Sequence, residues 1–466
     1  MPKDVNLEEI GESLLKIARQ KRVDEAEVYL SSNRVLTIRI VNNAVFEAKS
    51  VHDIGAGIRV IKGNMLGFSS TSDLSPQSLE RAITSALQVS RARKVPSSYS
   101  FPDPAKPPEV TGLYDRNIGE LPVEEAVELA YEMVDSSLNF NPKIVDNAGV
   151  LNLIEYHVVI MNTHDLTAFN DGTFFEASLT ATAKDGEGKS EGAESIAGRK
   201  LDDFKPKDVG VKAAEMAVQC LKTEPLKEGT YTLILDYEPS SNITSYISML
   251  LSPMVAKLYY PLFIDKIGKQ VGSSQLSIID NQLMPGGIGS SPIDDEGTPS
   301  RQIILMEEGV LKTFVYDRFY GAMDGKQTTG NALRISFAVG VSQFPGKNYN
   351  SEPIPLARNP HIKPGDWKAD EIIEDTKNGL LARRFHYTRL TNPTRGDFTS
   401  VLRTGLFIVK DGEVRNPVRK SRLVDNLFNL VKNVDAISDE LRVGGSWGEY
   451  LHTPIIRTKA RISSLT

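Results

Sequence analysis

The opening of the chain alternates between two hydrophobic periods. Leu7, Ile10, Leu14 and Ile17 recur at helical spacing, and Asn6 with Glu9 three residues later supplies a capping-box start. Ala26–Leu30 is apolar, and in Val35–Val41 the residues Leu36, Ile38 and Ile40 alternate with Thr37 and Arg39, which predicts a half-buried strand. An Asn42-Asn43 turn leads to Val45–Ala48. Lys62-Gly63-Asn64 then separates Ala56–Ile61 from Met65–Ser69, the signal of a hairpin. From Ser75, with Pro76 in the first turn, Leu79, Ile83, Ala86 and Leu87 face one way and predict a helix. The order α-β-β-β-β-β-α predicts a sheet covered by helices on one side.

Five prolines between Pro96 and Pro108, among few core residues, predict a surface strap over about 95–112. A helix at Val123–Ser136 precedes a strand-rich block from Val150 to Ser195, with Asp171-Gly172 as its hairpin turn. Helix Val211–Leu221 and strand Tyr231–Leu235 lead into a stretch that mixes short strands, helices and glycine-rich loops. The pattern predicts an α+β protein of two domains: a sheet-plus-helix N-terminal domain over 1–225 and a larger mixed α+β domain over 226–466. No repeat of fixed period is present.

Composition narrows the function classes. With 40% hydrophobic and 24% charged residues the chain suits a packed globular protein, and a formal charge of −6 argues against nucleic acid as a partner. Cys220 is the single cysteine, which excludes an internal disulfide and a multi-cysteine metal cluster. The N-terminus carries Lys3, Asp4, Glu8 and Glu9 where a leader would be apolar, and Ile243–Ile264 is broken by Pro253, Lys257 and Pro261. The expectation is a cytoplasmic protein with no membrane partner.

Most chemical motifs fail on context. Gly188-Lys189-Ser190 ends like a phosphate loop, but Ala183 stands where its first glycine belongs and Glu191 and Glu194 follow, so a charged hairpin tip is expected. The six histidines (His52, His157, His164, His361, His386 and His452) include no pair three to five positions apart, the spacing of a helical zinc site. Convergence of His361, His386 and His452 in space stays open. Cys220 lies in the apolar register of Ala214, Ala217, Val218 and Leu221 and reads as a buried thiol. Ser190 and Ser446 each sit in G-x-S-x-G, without the strand and helix that flank a nucleophile elbow. The most unusual stretch is Gly286–Arg334. There Asp294, Asp295 and Glu296 occupy a glycine-bounded loop, and Thr328-Thr329-Gly330-Asn331-Ala332-Leu333-Arg334 follows a hairpin of Ile303–Met306 and Val310–Tyr316. Such carboxylates bind a cation, cap a helix or are simply solvated.

In that stretch the chain resembles the TldD/PmbA family. The resemblance rests on Asp294-Asp295-Glu296-Gly297-Thr298-Pro299, Gly309-Val310-Leu311-Lys312 and Thr329-Gly330-Asn331. Gly396-Asp397-Phe398, Lys410-Asp411-Gly412-Glu413, Pro417-Val418 and Asp425-Asn426-Leu427 continue it in order. Val23-Asp24-Glu25-Ala26-Glu27-Val28 and Gly55-Ala56-Gly57-Ile58-Arg59-Val60 extend it to the N-terminus. The resemblance implies a cytoplasmic two-subunit peptidase acting on unfolded or modified peptides. One subunit, TldD-like, carries His-Glu-x-x-x-His on a helix and a distant cysteine for zinc; the other, TldE-like or PmbA-like, lacks them.

By this resemblance the motif belongs on the helix after Tyr231–Leu235, where the chain has Thr244-Ser245-Tyr246-Ile247-Ser248-Met249, and the cysteine belongs near Leu402. None of these supplies an imidazole, a thiolate or a carboxylate base. The chain is therefore expected to be the TldE-like subunit, with no cofactor of its own, zinc in a TldD-like heterodimer partner, and extended peptides as substrates. Asp294, Asp295, Glu296, Gly297, Thr298, Thr329, Gly330, Asn331 and Arg334 are the candidate substrate or interface residues; no catalytic or metal residue is assigned. A non-enzymatic homodimeric peptide-binding scaffold, or a peptidase with an unrecognised site, remains the alternative.

Overall fold

The computed structural model describes residues 5–90, 93–335, 347–392, 394–446 and 449–464. Helix α1 (Leu7–Gln20) begins as its sequence directs: Asn6 Oδ1 accepts from the Glu8 and Glu9 amides, and Asn6 Nδ2 donates to Glu9 at 3.0 Å. Strands β1 (Glu25–Val41), β2 (Ala44–Lys62) and β3 (Met65–Thr71) follow, then helix α2 (Pro76–Val89) and the short strand β4 (Arg93–Lys94). After helices α3 (Arg116–Gly119) and α4 (Val123–Phe140) come β5 (Ile144–Asn162), β6 (Thr167–Asp185), β7 (Gly188–Gly198) and helix α5 (Pro206–Gln219).

These strands form one seven-stranded antiparallel sheet in the order β4-β3-β2-β1-β5-β6-β7. β1 pairs with β2 through Val28↔Ile58 and Leu36↔Ser50, and with β5 through Leu36↔Leu153. Side chains alternate faces along β1. Val28, Leu30, Leu36, Ile38 and Ile40 share the face covered by helices, α1 and α2 over one end and α4 and α5 over the other. Glu27, Tyr29, Ser31, Asn33 and Val35 point to the opposite face, which the second half of the chain covers.

Three local readings change. β1 and β2 are each continuous, where the hydrophobic pattern gives two short strands. The polar Ser31 and Asn33 between them are buried because Ser31 Oγ and Asn33 Nδ2 donate to the Lys347 carbonyl at 3.3 and 3.0 Å. Asp171-Gly172 is no hairpin turn: it lies within β6, paired with His157 and Tyr156. Gly172 is there for space, since a Cβ would meet the Tyr156 hydroxyl at 2.3 Å. The proline strap does hold core residues. Tyr99 and Phe101 are buried, and Tyr99 packs edge-on against Phe101 and Phe319.

The second half begins with β8 (Gly229–Leu235), helix α6 (Tyr237–Leu250) and helix α7 (Pro253–Leu258). β9 (Ile278–Asn281), β10 (Gln302–Glu307), β11 (Val310–Leu311), helix α8 (Arg318–Asp324), β12 (Ala332–Leu333), β13 (Ile354–Pro355) and β14 (Pro360–Ile362) follow. Then come helix α9 (Ala369–Glu374), β15 (Asn378–Ala382), β16 (His386–Asn392), β17 (Asp397–Leu402), β18 (Leu406–Lys410), β19 (Glu413–Pro417) and β20 (Ser421–Asn426). Helix α10 (Leu427–Lys432), β21 (Ala436–Ile437), β22 (Arg442–Ser446), β23 (Glu449–Thr453) and β24 (Ile456–Ser464) complete it.

A nine-stranded mixed sheet runs β16-β17-β20-β24-β8-β15-β18-β19, with β21 beside β24. β8 and β15 are parallel. Helix α6 packs its Ile243, Ile247 and Leu250 into the core with Leu233, Leu235 and Leu305. A four-stranded sheet, β11-β10-β9-β14, lies beside it. The fold is thus α+β, and among the described residues no helix is long and apolar enough to cross a membrane.

At Gly55 and Gly57, β2 presents no side chain to the second half, and the backbone at Tyr349 lies close against it. A Cβ on Gly57 would lie 2.4 Å from the Tyr349 carbonyl, and one on Gly55 would lie 2.3 Å from the Tyr349 ring. Gly57→Ala is expected to destabilise the chain by about 1–3 kcal/mol, because backbone rather than a flexible side chain opposes the methyl. A lowered urea midpoint of the variant checks this; an unchanged midpoint shows that the segment at Tyr349 gives way freely.

Candidate functional site

The loop at Asp294 is built by its own backbone. Gly297, at φ +81°, makes the reversal, and the Asp294 amide donates to the Thr298 carbonyl at 2.9 Å. Asp294 Oδ1 then accepts from the amides of Glu296 and Thr298 at 3.0 and 2.8 Å, and its Oδ2 from the Ala332 amide at 3.1 Å. Asp295 accepts from the Arg334 amide at 2.8 Å and lies 3.7 Å from Lys347 Nζ. Glu296 takes Arg59 Nη1 at 2.9 Å and the Arg318 amide at 3.0 Å. The second candidate segment closes against this loop. Thr329 Oγ1 donates to Asn331 Oδ1 at 2.7 Å, Asn331 Nδ2 donates to Asp280 at 2.7 Å, and Gly330 turns the chain at φ +74°.

The structure therefore brings all nine candidates together, with Thr298 and Thr329 half-buried and the other seven buried. Asp294, Asp295 and Glu296 are at most 1% exposed, and Asn331 and Arg334 are buried with them. Neither a solvated loop nor an exposed rim for a peptide describes these side chains. The charged partners of Glu296 and Arg334 come from the facing sheet. Glu27 Oε1 accepts from Arg59 Nε at 2.9 Å and from Arg334 Nη2 at 2.8 Å, and Arg334 lies over the Tyr29 ring at 4.5 Å. Glu27 and Arg59 occur inside the two N-terminal family phrases, yet nothing marked them as partners of Asp294–Arg334. The available signal was a charged residue in an inward position of each strand.

Burial decides the protonation of this cluster. It pushes Asp294 up to about 7, with Glu296 adding repulsion, and it raises Asp317 for the same two reasons. Burial works against the Arg59 charge, but Glu27, Tyr99 and Glu296 outweigh it and hold Arg59 well above the usual guanidinium range.

Helix α6 holds the positions of the expected motif. Asp236 caps it, accepting from the Tyr237 amide at 2.8 Å. Thr244 turns its hydroxyl back onto the Ser240 carbonyl at 2.8 Å, and Ser248 is buried. Leu402 is buried at the end of β17. Among the described residues, which include all six histidines and Cys220, no three His, Cys, Asp or Glu side chains group to hold a metal ion. The donor set does not fit zinc.

The histidines take other roles. His157 sits between Asp171 (3.2 Å) and Glu155 (3.5 Å), which raise it to about 9. His164 bridges Asp103 (3.1 Å) and Glu25 (3.3 Å). His361 on β14 and His452 on β23 are neighbours; burial and then the nearby His361 lower His452 to about 4. Cys220 is buried, which raises its thiol. Lys189 and Gly188 lie beside the β6–β7 turn, where Gly186 has φ +60°.

Two outcomes follow from the buried cluster. Glu27→Ala leaves the buried Arg334 without its carboxylate partner and Arg59 with Glu296 alone, and is expected to cost about 3–5 kcal/mol of stability, read as a lowered urea midpoint. The second concerns pH. Folded Asp294 keeps its proton to about 7, whereas an unfolded Asp loses it at about 3.9. The folded state thus binds this proton more tightly, so the stabilisation is complete below the unfolded value and disappears as pH rises to about 7. Asp294→Asn is expected to flatten that part of the stability–pH curve; an unaltered slope would assign it to other groups.

Known proteins share this architecture along the whole chain. A family model for the PmbA/TldA metallopeptidase C-terminal domain matches residues 228–464, and models for domain 1 and the central domain match 26–90 and 116–221. A metalloprotease of Methanocaldococcus jannaschii is 24% identical, with 98% of this chain and 100% of that protein covered. A zinc metalloprotease TldD homolog of Saccharolobus solfataricus is 25% identical, covering 95% of this chain and 92% of its own. The crystal structure of TldE from Thermococcus kodakarensis superposes with a TM-score of 0.85 at 21% identity, over 98% of this chain and 100% of that one. The C-terminal model alone spans half of the sequence, and the chain belongs to the TldD/PmbA family of metallopeptidase proteins.

Proposed function

We propose that this chain is the zinc-free, TldE-like member of a heterodimeric cytoplasmic metallopeptidase, supporting a TldD-like subunit that cleaves extended, unfolded or modified peptides. The observation that carries the reading is the chemistry of α6. The helix stands directly after β8, and it offers Thr244, Ser245 and Ser248, hydroxyls that replace neither imidazole nor carboxylate. Peptide hydrolysis near neutral pH needs water activated by a Lewis acid or a base. In this reading the partner supplies that activation, and the present chain closes the chamber and holds the peptide.

The nine candidates, seven of them buried, then act as the frame of that chamber. The Glu27–Arg59–Glu296 and Arg334 contacts join the seven-stranded sheet to the loops of the second half, so the wall is rigid without touching substrate. Contact with the peptide falls to exposed backbone, where strand pairing tolerates varied sequences.

The test is reconstitution. The chain alone is expected to carry no stoichiometric zinc and to leave casein uncut. With a TldD-like partner it is expected to give chelator-sensitive cleavage that requires the partner's metal-binding histidines. Chelator-sensitive cleavage by rigorously partner-free chain sinks the reading. So does about one zinc per chain that is lost on substituting His361 and His452.

A further inference from the structure

Strand β16 ends the nine-stranded sheet, so among the described residues one of its edges has no strand partner. Between its pairings His386↔Val401 and Arg389↔Thr399, two residues oppose the single Ser400, which is a β-bulge. The first of the two is Tyr387. It adopts φ +54°, a left-handed conformation that an aromatic residue rarely takes, and it is 79% exposed, the highest of the exposed large hydrophobics among the described residues. Left-handed geometry at a bulge re-aims a side chain, and here it turns an aromatic ring into solvent against the edge of His386, with centroids 4.3 Å apart.

Charge sets the same strip apart. Residues 383–395 contain four arginines and one histidine and no Asp or Glu, in a chain of net charge −6. Arg383 is engaged by Asp236 and lies over Phe407. Arg389 is exposed on β16 and Arg384 stands beside His386, while Arg403 is paired with Glu191 at 3.0 Å and Arg395 with Asp397 at 3.8 Å. The strip also touches α6: the Tyr246 hydroxyl donates to the Thr388 carbonyl. Leu390 packs inward on the core, so Arg389 and Thr391 line the outer face in alternation.

We infer that the free edge of β16 binds an extended acidic peptide, pairing backbone to backbone along Arg389–Asn392. Tyr387 serves as an aromatic anchor, and Arg389 meets a carboxylate side chain of the peptide. A bulge and charges on an edge also block unwanted strand addition. That role calls for neither a left-handed aromatic in solvent nor an exposed arginine beside it on the same free edge. An opposite-charge pair on the shared face fixes which peptides stay bound. This proposal rests on the supporting-subunit reading for the origin of the peptide, and it names the peptide's charge class.

The experiment measures fluorescence anisotropy on the full chain alone, independent of any partner or cleavage. Two labelled hexapeptides are compared, Thr and Val alternating with Glu in one and with Lys in the other. The Glu peptide is expected to bind about tenfold or more tightly than the Lys peptide, with an affinity that falls as salt rises. Arg389→Glu is expected to abolish this preference and Tyr387→Ala to weaken binding of both peptides, each variant first matched to the parent by circular dichroism and thermal midpoint. N-methylation of alternate amides of the Glu peptide needs no variant and is expected to remove binding. Equal affinity for both peptides, or unchanged binding after N-methylation, overturns the proposal. Arg389→Glu that leaves peptide affinity intact but abolishes association with a TldD-like subunit also overturns it, assigning the edge to subunit contact.

Discussion

Glu27 holds two guanidiniums in the interior of this protein, and the arrangement of the whole chain follows from keeping those charges paired. Moving each ion out of water costs several kcal/mol, so each must meet a full set of partners. Arg59 comes from the neighbouring strand, Arg334 from the residue after β12 in the second half, and Glu296 from the loop before β10. Bringing the last two within reach requires the loop backbone to lie flat on the sheet. Gly55 and Gly57 on β2 permit that approach, and Gly297 permits the loop to turn there. The strap contributes as well, since Tyr99 accepts a hydrogen bond from Arg59 at 3.2 Å and Phe101 lies under the same guanidinium. The ions specify one relative placement of the halves more than they add to its stability, because an apolar contact would hold many placements equally well.

The helix-covered face of the first sheet was legible in the sequence, and its other face was not. Leu36, Ile38 and Ile40 alternate because helices α4 and α5 cover one side of β1 with ordinary apolar contact. Ser31 and Asn33 are equally buried, but their partner is the backbone at Lys347, so burial there selects hydrogen-bonding side chains and breaks the alternation. The acidic phrase at Asp294 suffers the same ambiguity. Asp294 spends its oxygens on three backbone amides, an internal use that composition cannot distinguish from solvation. Asp171-Gly172 misled for a related reason: glycine serves close approach as well as turns, and only Tyr156 across the strand pair reveals which.

Helix α6 shows how much of a helix the fold itself dictates. Its place after β8, its Asp236 cap and its apolar Ile243, Ile247 and Leu250 are structural demands of the mixed sheet, met whatever lies on the remaining face. Thr244 and Ser248 satisfy those demands with small hydroxyls. A chain can therefore keep the complete architecture of a metallopeptidase family with a helix that offers no set of metal donors.

The sequence distances within the charge cluster set a timetable during synthesis. Glu27 and Arg59 leave the ribosome early, but Glu296 lies 237 positions after Arg59 and Arg334 lies 307 after Glu27. At about 5–20 residues per second, Glu27 waits roughly 15–60 s for its second cation. β1 lacks β5 along one edge only until residue 162 is made, but until Arg334 arrives the polar face of the nascent sheet stays hydrated rather than sealed. A hydrated ion pair is cheap to maintain and poorly suited to joining a neighbouring chain, so the residues that later lock the two halves also keep the unfinished sheet from aggregating.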